Sequence, residues 1–336
     1  MNERRPTIHD VAARAGVSKS LVSLAMRGSP KVSDASRAAI EKAAAELGYR
    51  PNATARSLAD RRSRTIGVNM AELDNPIFPD MLGGAHTVIR SRNYNTMLVS
   101  GERDPELETM ELAKLLEFQV EGLILISHRL PAETVRSLAD EVPIVVLTLK
   151  DLTGPGIDSV VTDDEMGTRM AMQHLFDLGH RDIAHVSGGS LEPAVVRERI
   201  YRSEMQAAGL ESLTRIIEGD LTNLGGLEAA RSLLRDGEPP TAIFASNDIS
   251  ALGVMAACQE FGLNIPSDIS IIGYDGIALG ALRTLSLTTI AQPLDRMGQV
   301  AAQRLFDRMT GADIDDRSIV LEPELLTRGT TAPPRV

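Results

Sequence analysis

From Thr65 onward the sequence alternates short runs of β-branched and aliphatic residues with stretches of helical length, and this alternation limits the possible folds more than any other feature. The strand candidates are residues 66–70, 96–99, 123–126, 144–147, 160–162, 183–186, 216–218, 242–245, 269–272 and 318–321; between them lie helical stretches such as 107–118, 167–178 and 252–261. Strands that are apolar throughout and separated by helices belong to parallel sheets covered on both faces, so an α/β fold is expected. Residues 65–336 are too many for a single sheet. Two lobes are expected, an N-lobe of about 65–161 and 292–324 and a C-lobe of about 162–291, with the final helix at 294–309 returning to the first lobe.

In open parallel sheets ligands bind beyond the carboxyl ends of the strands. The residues found there are Asp74-Asn75-Pro76-Ile77-Phe78, Asp163-Asp164, Ser187-Gly188-Gly189, Asp220-Leu221, Asn247-Asp248 and Tyr274-Asp275. Most of these side chains exchange hydrogen bonds with hydroxyl groups. Gly188-Gly189 does not fit a dinucleotide fingerprint, no loop ends in Gly-Lys-Ser/Thr, and no Gly-x-Ser-x-Gly elbow occurs. Asp163, Asp164, Asp248 and Asp275 could be paired as acid and base, but carboxylate-lined clefts are common in pure binding proteins, so no catalytic residue, enzymatic activity or cofactor is assigned. His174, His180 and His185 fall on a helix, a turn and a strand without shared ligand spacing, and no metal site is expected. Cys258 is the only cysteine, which excludes a disulfide within the chain.

The formal charge of −11 and a single short list of aromatics, four Tyr, six Phe and no Trp, argue at first against nucleic acid. The charge is unevenly placed. Residues 1–64 carry 13 Lys and Arg against 6 Asp and Glu, a net of +7, and the remainder carries 22 against 40, a net of −18. Within the basic stretch, Thr7-Ile8-His9-Asp10 reads as a capping box, with Ile8, Val11, Ala12 and Ala15 at helical spacing and Gly16 as the stop. Ser18 caps a second helix, in which Leu21, Val22, Ala25 and Met26 share one face and Lys19, Ser20, Ser23 and Arg27 the opposite one. A third helix from about residue 33 to 47 turns Ile40, Ala43, Ala44 and Leu47 inward. Two short helices joined by a Gly-containing turn and braced by a third make a helix-turn-helix unit. No apolar run approaches the roughly 18 residues of a membrane span, and the polar start lacks a signal-peptide core, so a cytoplasmic protein is expected.

The run from Thr7 to Ser18, with Val32-Ser33 and Leu47-Gly48-Tyr49-Arg50-Pro51-Asn52, resembles the LacI/GalR family of bacterial transcription regulators. The resemblance implies a DNA-binding headpiece over residues 1–50, a hinge helix and linker over 51–64, and an effector-binding and dimerisation unit over 65–336. It places Lys19, Ser20, Ser23, Leu24, Arg27, Tyr49, Asn52 and Arg56 at the DNA, with Leu58 as the wedge that enters the minor groove from the hinge helix. Leu24 departs from the usual arginine and cannot make a bidentate contact to guanine, although it can pack on a thymine methyl.

Asn75-Pro76, Gly179-His180, Arg197-Glu198-Arg199, Ser246-Asn247-Asp248, Ile272-Gly273-Tyr274-Asp275 and Leu287-Thr288-Thr289-Ile290 extend the resemblance to the effector core, which is similar to periplasmic sugar-binding proteins. By position, Phe78, Asp164, Arg199, Leu221, Asn247, Asp275 and Gln292 would line the ligand. Leu221 stands where many sugar-binding members carry an aromatic ring, and Arg202-Ser203 replaces a Gly-aromatic pair. The implied protein is an allosterically controlled repressor, dimeric on a palindromic operator, whose effector is a sugar, polyol, sugar acid or sugar phosphate. The alternative is a sugar or polyol solute-binding protein without a regulatory role, which the basic headpiece and missing export signal disfavour.

Overall fold

The computed structural model describes residues 6–26, 28–49, 62–150, 152–235, 238–312 and 317–335. The chain divides into two units, Met1–Arg64 and Thr65–Val336.

In the first unit, short helices are held by their ends. Helix α1, Ile8–Ala15, begins where the Asp10 carboxylate accepts the Thr7 backbone N–H at 2.7 Å, and it stops at Gly16, whose φ of 67° is the left-handed conformation glycine adopts without strain. Helix α2, Lys19–Met26, is capped by Ser18, whose Oγ accepts the Leu21 N–H at 3.2 Å. Helix α3, Asp34–Leu47, is capped by Ser33 and closed by Gly48. Val11, Ala12, Val22, Ala25, Val32, Ile40, Ala43 and Ala44 bury together between the three. Arg37 reaches back from α3 to donate to the Ala25 carbonyl at 3.0 Å and the Ser29 carbonyl at 2.7 Å, which satisfies the exposed end of α2.

The second unit contains two six-stranded sheets. The first is ordered β11 (Ser318–Leu321), β5 (Ile157–Thr162), β4 (Ile144–Leu147), β3 (Gly122–Ile126), β1 (Thr65–Met70), β2 (Asn95–Ser100), all parallel. The second is ordered β12 (Glu324–Leu326), β10 (Thr288–Ala291), β9 (Ser270–Asp275), β8 (Ala242–Ala245), β6 (Ile183–Val186), β7 (Arg215–Ile217). Its strands are parallel apart from β12, which runs antiparallel to β10. Central strands such as β3, β4 and β8 are buried at every residue, because helices cover both faces.

The strand order differs from the expected lobe boundaries at the carboxyl end. The chain crosses after β5, crosses back after β10 so that helix α11, Leu294–Met309, packs on the first lobe, and crosses a third time between β11 and β12. Beyond β12 the tail remains on the second lobe, where Thr330 Oγ1 donates to the Ile271 carbonyl at 2.7 Å and accepts the Thr288 N–H at 2.9 Å. Strands β10 and β12 are absent from the expected set because they are only four and three residues long and carry no run of large apolar side chains.

Each lobe contains one pair of helices in direct backbone contact. In the first, Gly84 of α4 (Ile77–Ser91) lies so close to α11 that a Cβ there would be 2.0 Å from the Asp295 carbonyl oxygen; a Cβ on Gly298 would be 1.9 Å from that of Met81. In the second, Gly226 of α9 (Asn223–Arg235) and Gly253 of α10 (Asp248–Glu260) play the same parts. Among the described residues no helix is long and apolar enough to cross a membrane.

Candidate functional site

The carboxyl ends of both sheets meet at a cleft lined by residues of both lobes. Phe78 enters from the first turn of α4 and Asn75 from the loop before it; both are buried. Ser127 and Arg129 follow β3, and Thr148 follows β4. The second lobe contributes Asp164 at the start of helix α7 (Asp164–Asp177), Arg197 from helix α8 (Glu192–Ala207), Leu221, Asn247 and Asp275; Gln292 comes from the segment that crosses back.

Arg197 is the centre of this arrangement. Its Nε donates to Asp164 Oδ1 at 2.8 Å, its Nη1 donates to the Ser246 carbonyl at 2.6 Å and lies 3.8 Å from Asp275 Oδ1, and its guanidinium lies 3.6 Å above the centre of the Tyr274 ring. Burial works against its charge, but Asp164, then Tyr274 and Asp275, more than compensate and raise its pKa further. Asp275 Oδ1 also accepts from Gln292 Nε2 at 2.7 Å, and Gln292 Oε1 accepts from Thr162 Oγ1 at 2.7 Å. Two hydrogen bonds thus link Thr162 at the end of the first sheet to Asp275, and the ion pair between Asp275 and Arg197 continues the link into the second lobe. Asp275 has a φ of 121°, a conformation that is strained for any residue with a Cβ. Strain of this kind concentrates where surrounding contacts enforce it, often at ligand sites. Burial raises the Asp275 carboxyl to about 6, against the opposing pull of Arg197.

The residues expected at the ligand divide unequally. Phe78, Asp164, Leu221, Asn247, Asp275 and Gln292 all line the cleft. Arg199 does not; it is exposed and pairs with Glu165 at 2.7 Å. The physical reason is helical phase: residues two apart on a helix point about 200° apart, so Arg197 and Arg199 cannot face the same way. Ala194, Arg197, Ile200, Tyr201 and Met205 form the buried stripe of α8, and this spacing identifies Arg197 as the inward arginine. Leu221 takes a left-handed φ of 66° and lays its side chain over Gly188, where a Cβ would lie 2.4 Å from Leu221 Cδ2. Asn247 caps α10 through its Oδ1 and donates from Nδ2 to the Leu221 carbonyl at 3.1 Å. Hydrogen bonds join the lobes at the mouth of the cleft: Arg103 Nη2 donates to the Asp220 carbonyl at 2.6 Å, and the Lys150 N–H donates to the Glu192 carboxylate, at 2.9 Å to Oε2 and 3.2 Å to Oε1. Arg197, Arg103 and Arg129 are cleft residues that the expected set lacks.

Behind the cleft, Asp248 is fully buried. Thr289 Oγ1 lies 2.6 Å from its Oδ1, and its Oδ2 accepts the Ile277 N–H at 2.8 Å. Burial, reinforced by the charge of Asp275, raises its pKa to about 8. Stability therefore depends on pH. A carboxyl whose pKa rises from 3.8 to about 8 on folding is protonated in the folded state and ionised in the unfolded state, so stability falls as pH rises through this window. His185 and His128 act in the opposite sense: burial lowers them to about 3 and about 4, and stability falls as pH drops below their ordinary 6.5. We expect maximal stability near pH 6.5, with a decline at higher pH that stays below about 1.4 kcal/mol per pH unit and levels off beyond pH 8. Asp248→Asn reproduces the hydrogen bonding of the protonated carboxyl and should flatten the alkaline limb in urea titrations; an unchanged slope would exclude Asp248 as its source.

In the headpiece, Lys19 and Ser20 are exposed, Ser23 is half-buried, and Leu24 is 36% exposed, a high value for a leucine. Tyr49 packs beside the small core. Arg27, Asn52, Arg56 and Leu58, and with them the expected hinge helix, lie outside the described residues. His180 is buried; its ring nitrogens bond Thr241 Oγ1 and the Ala332 carbonyl, each at 2.9 Å, and so tie the tail to the second sheet. No group of metal-ligating side chains occurs among the described residues.

Comparison with known proteins matches residues 7–52 to the bacterial regulatory proteins of the lacI family and residues 172–331 to the periplasmic binding protein-like domain. The chain is 36% identical over 321 residues to catabolite control protein A of Priestia megaterium, covering 94% of this chain and 96% of that protein. It is 35% identical over 329 residues to the ribose operon repressor of Escherichia coli K12, covering 96% and 99%. Among solved structures, the lac repressor dimer bound to operator and the anti-inducer ONPF aligns with a TM-score of 0.87 at 29% identity, over 98% of this chain and 100% of that one. A LacI family regulator from Enterococcus faecium with bound ribose aligns with a TM-score of 0.74 at 30% identity, over 81% and 100%. With a capped helix-turn-helix followed by two sheets around a polar cleft, the chain belongs to the lacI family of bacterial regulatory proteins, DNA-binding regulators of transcription rather than enzymes.

Proposed function

We propose that this protein is a transcriptional repressor that binds a palindromic operator as a homodimer and is controlled by a small carbohydrate-like effector in the cleft. Residues 1–50 read the operator, residues 51–64 form the hinge with Leu58 as its wedge, and residues 65–336 bind the effector and dimerise. The observation that carries this reading is the network of Asp164, Arg197, Asp275 and Gln292, which offers a fork of donors and two carboxylates to neighbouring hydroxyls and spans the crossing between lobes. The lac repressor dimer on its operator and the ribose-bound relative from Enterococcus faecium support the two halves of the proposal. Work on an operator places the protein in the cytoplasm.

A ligand that takes hydrogen bonds from both lobes favours one lobe arrangement, and any resulting change in operator affinity is matched by an equal change in effector affinity. The exposed Lys19, Ser20 and Leu24 are suited to base edges, with lysine and serine as donors and leucine against a thymine methyl. The acidic remainder, at −18, repels DNA elsewhere and confines contact to the +7 headpiece.

The test combines a thermal-shift screen against sugars, polyols, sugar acids and sugar phosphates with operator binding measured for each ligand that raises Tm. Asp275→Asn should abolish the shift and the effector response while operator affinity without ligand stays within about twofold. A folded Asp275→Asn protein that keeps the shift would refute this assignment of the cleft.

A further inference from the structure

Three arginines, Arg103, Arg129 and Arg197, line the cleft beside Glu72, Asp164 and Asp275, and only Arg197 belongs to the proposed hydroxyl-binding network. The charge of Arg197 is answered by Asp164 and Asp275, and Arg103 has Glu72 at 3.8 Å. Arg129 differs from both. It is half-buried, its Nε is fully buried without a hydrogen-bond partner, and its guanidinium forms no ion pair with a described residue. Burial, and then the proximity of Arg103, lower its pKa against the opposing pull of Glu72, Glu108 and Asp220. A partly desolvated guanidinium left unpaired is costly. Arg103 and Arg129 line both the inner cavity and its outer mouth, opposite the Ser187-Gly188-Gly189-Ser190 loop of the second lobe. Of the nearby carboxylates, Glu72 lies 3.8 Å from Arg103, Glu108 Oε2 accepts the Arg129 backbone N–H at 2.9 Å, Asp220 Oδ1 accepts from the Thr222 N–H at 2.9 Å and from Thr222 Oγ1 at 2.6 Å, and Glu198 pairs with Arg202.

We propose that the effector is an anionic carbohydrate, and that Arg129, assisted by Arg103, receives its carboxylate or phosphate while the hydroxyls meet Arg197, Asn247 and Asp275. This rests on the reading of the cleft as the effector site. Leu221 is consistent with it. An aliphatic side chain in place of a stacking ring gives up affinity for a flat sugar face, and a charge-assisted bidentate bond to guanidinium replaces that affinity.

The experiment is calorimetric titration of the full chain with matched probes: D-glucose, D-gluconate and D-glucose 6-phosphate; D-ribose, D-ribonate and D-ribose 5-phosphate; and inorganic phosphate alone. We expect an anionic probe to bind roughly 10- to 100-fold more tightly than its neutral parent, Arg129→Met to remove that preference, and Arg129→Lys to restore part of it. The carboxylate and phosphate arms show which anion is preferred. A neutral parent that binds as tightly as its anions, or a preference that survives Arg129→Met, overturns the proposal. Running each probe on Asp275→Asn separates the two readings. Neutral-sugar binding that depends on Asp275 but not on Arg129 sinks the anion alone. Anion binding that depends on Arg129 but not on Asp275 sinks the hydroxyl cleft alone. Binding by none of the probes sinks both.

Discussion

Arg197→Met should be among the most damaging substitutions in the protein, with a loss of about 3–5 kcal/mol of stability at pH 8. Methionine fills much of the volume but leaves the Asp275 carboxylate buried without a cation and the Ser246 carbonyl without its donor. Without the guanidinium, Asp275 loses the interaction that opposes its burial, and its pKa rises above the present value of about 6. The variant therefore recovers part of its stability as pH falls and the carboxyl takes up a proton. Urea unfolding at pH 8 and pH 5.5 measures both effects. A loss below about 1 kcal/mol at pH 8 would show that the ion pair is no better than its apolar replacement, as is known for some buried pairs. The effector response should vanish at either pH.

Gly298→Val should prevent folding of the first lobe, or cost about 3 kcal/mol or more where it folds. The helices α4 and α11 touch backbone to backbone, and a Cβ on Gly298 would meet the Met81 carbonyl oxygen at 1.9 Å and the Ala85 nitrogen at 2.8 Å. Backbone cannot rotate away as a side chain can. The helices must separate, which opens the core formed by Met81, Ala85, Met297, Ala301 and Leu305. Gly83 provides the control, since it lies on the same helix next to Gly84 with nothing within 4 Å of its would-be Cβ. Gly83→Ala should gain up to about 1 kcal/mol from helix propensity. Thermal unfolding of the two variants compares them directly, and a stable Gly298→Val protein would mean that the helices are free to slide.

The elements that were legible in the sequence share one property, that their signals are local. The capping box at Thr7, the stops at Gly16 and Gly48, and the buried runs 144–147, 183–186 and 242–245 each declare themselves within a few residues. Loops beyond strand ends are readable for the same reason, and the sequence singles out Asp164, Asn247 and Asp275 by their position there. Strands β10 and β12 escaped notice because pairing with distant strands, and not local composition, makes them strands. Arg197 and Arg199 are a different case. Both arginines stand in one short motif, and only the phase of the buried stripe along α8 separates them.

Local sequence signals are enough for the division into a basic headpiece and an acidic remainder, the parallel α/β character of that remainder, and the polar groups gathered beyond its strands. The tertiary arrangement sets which arginine turns inward, that the chain crosses three times between lobes, that glycine pairs let helices meet at the backbone, and that the buried Nε of Arg129 stands at the cleft without a hydrogen-bond partner. The physical reason is range. Caps, breakers and periodicity act over a turn or a strand, whereas an ion pair or a helix contact depends on residues brought together from more than a hundred positions apart, as Thr162 and Gln292 are.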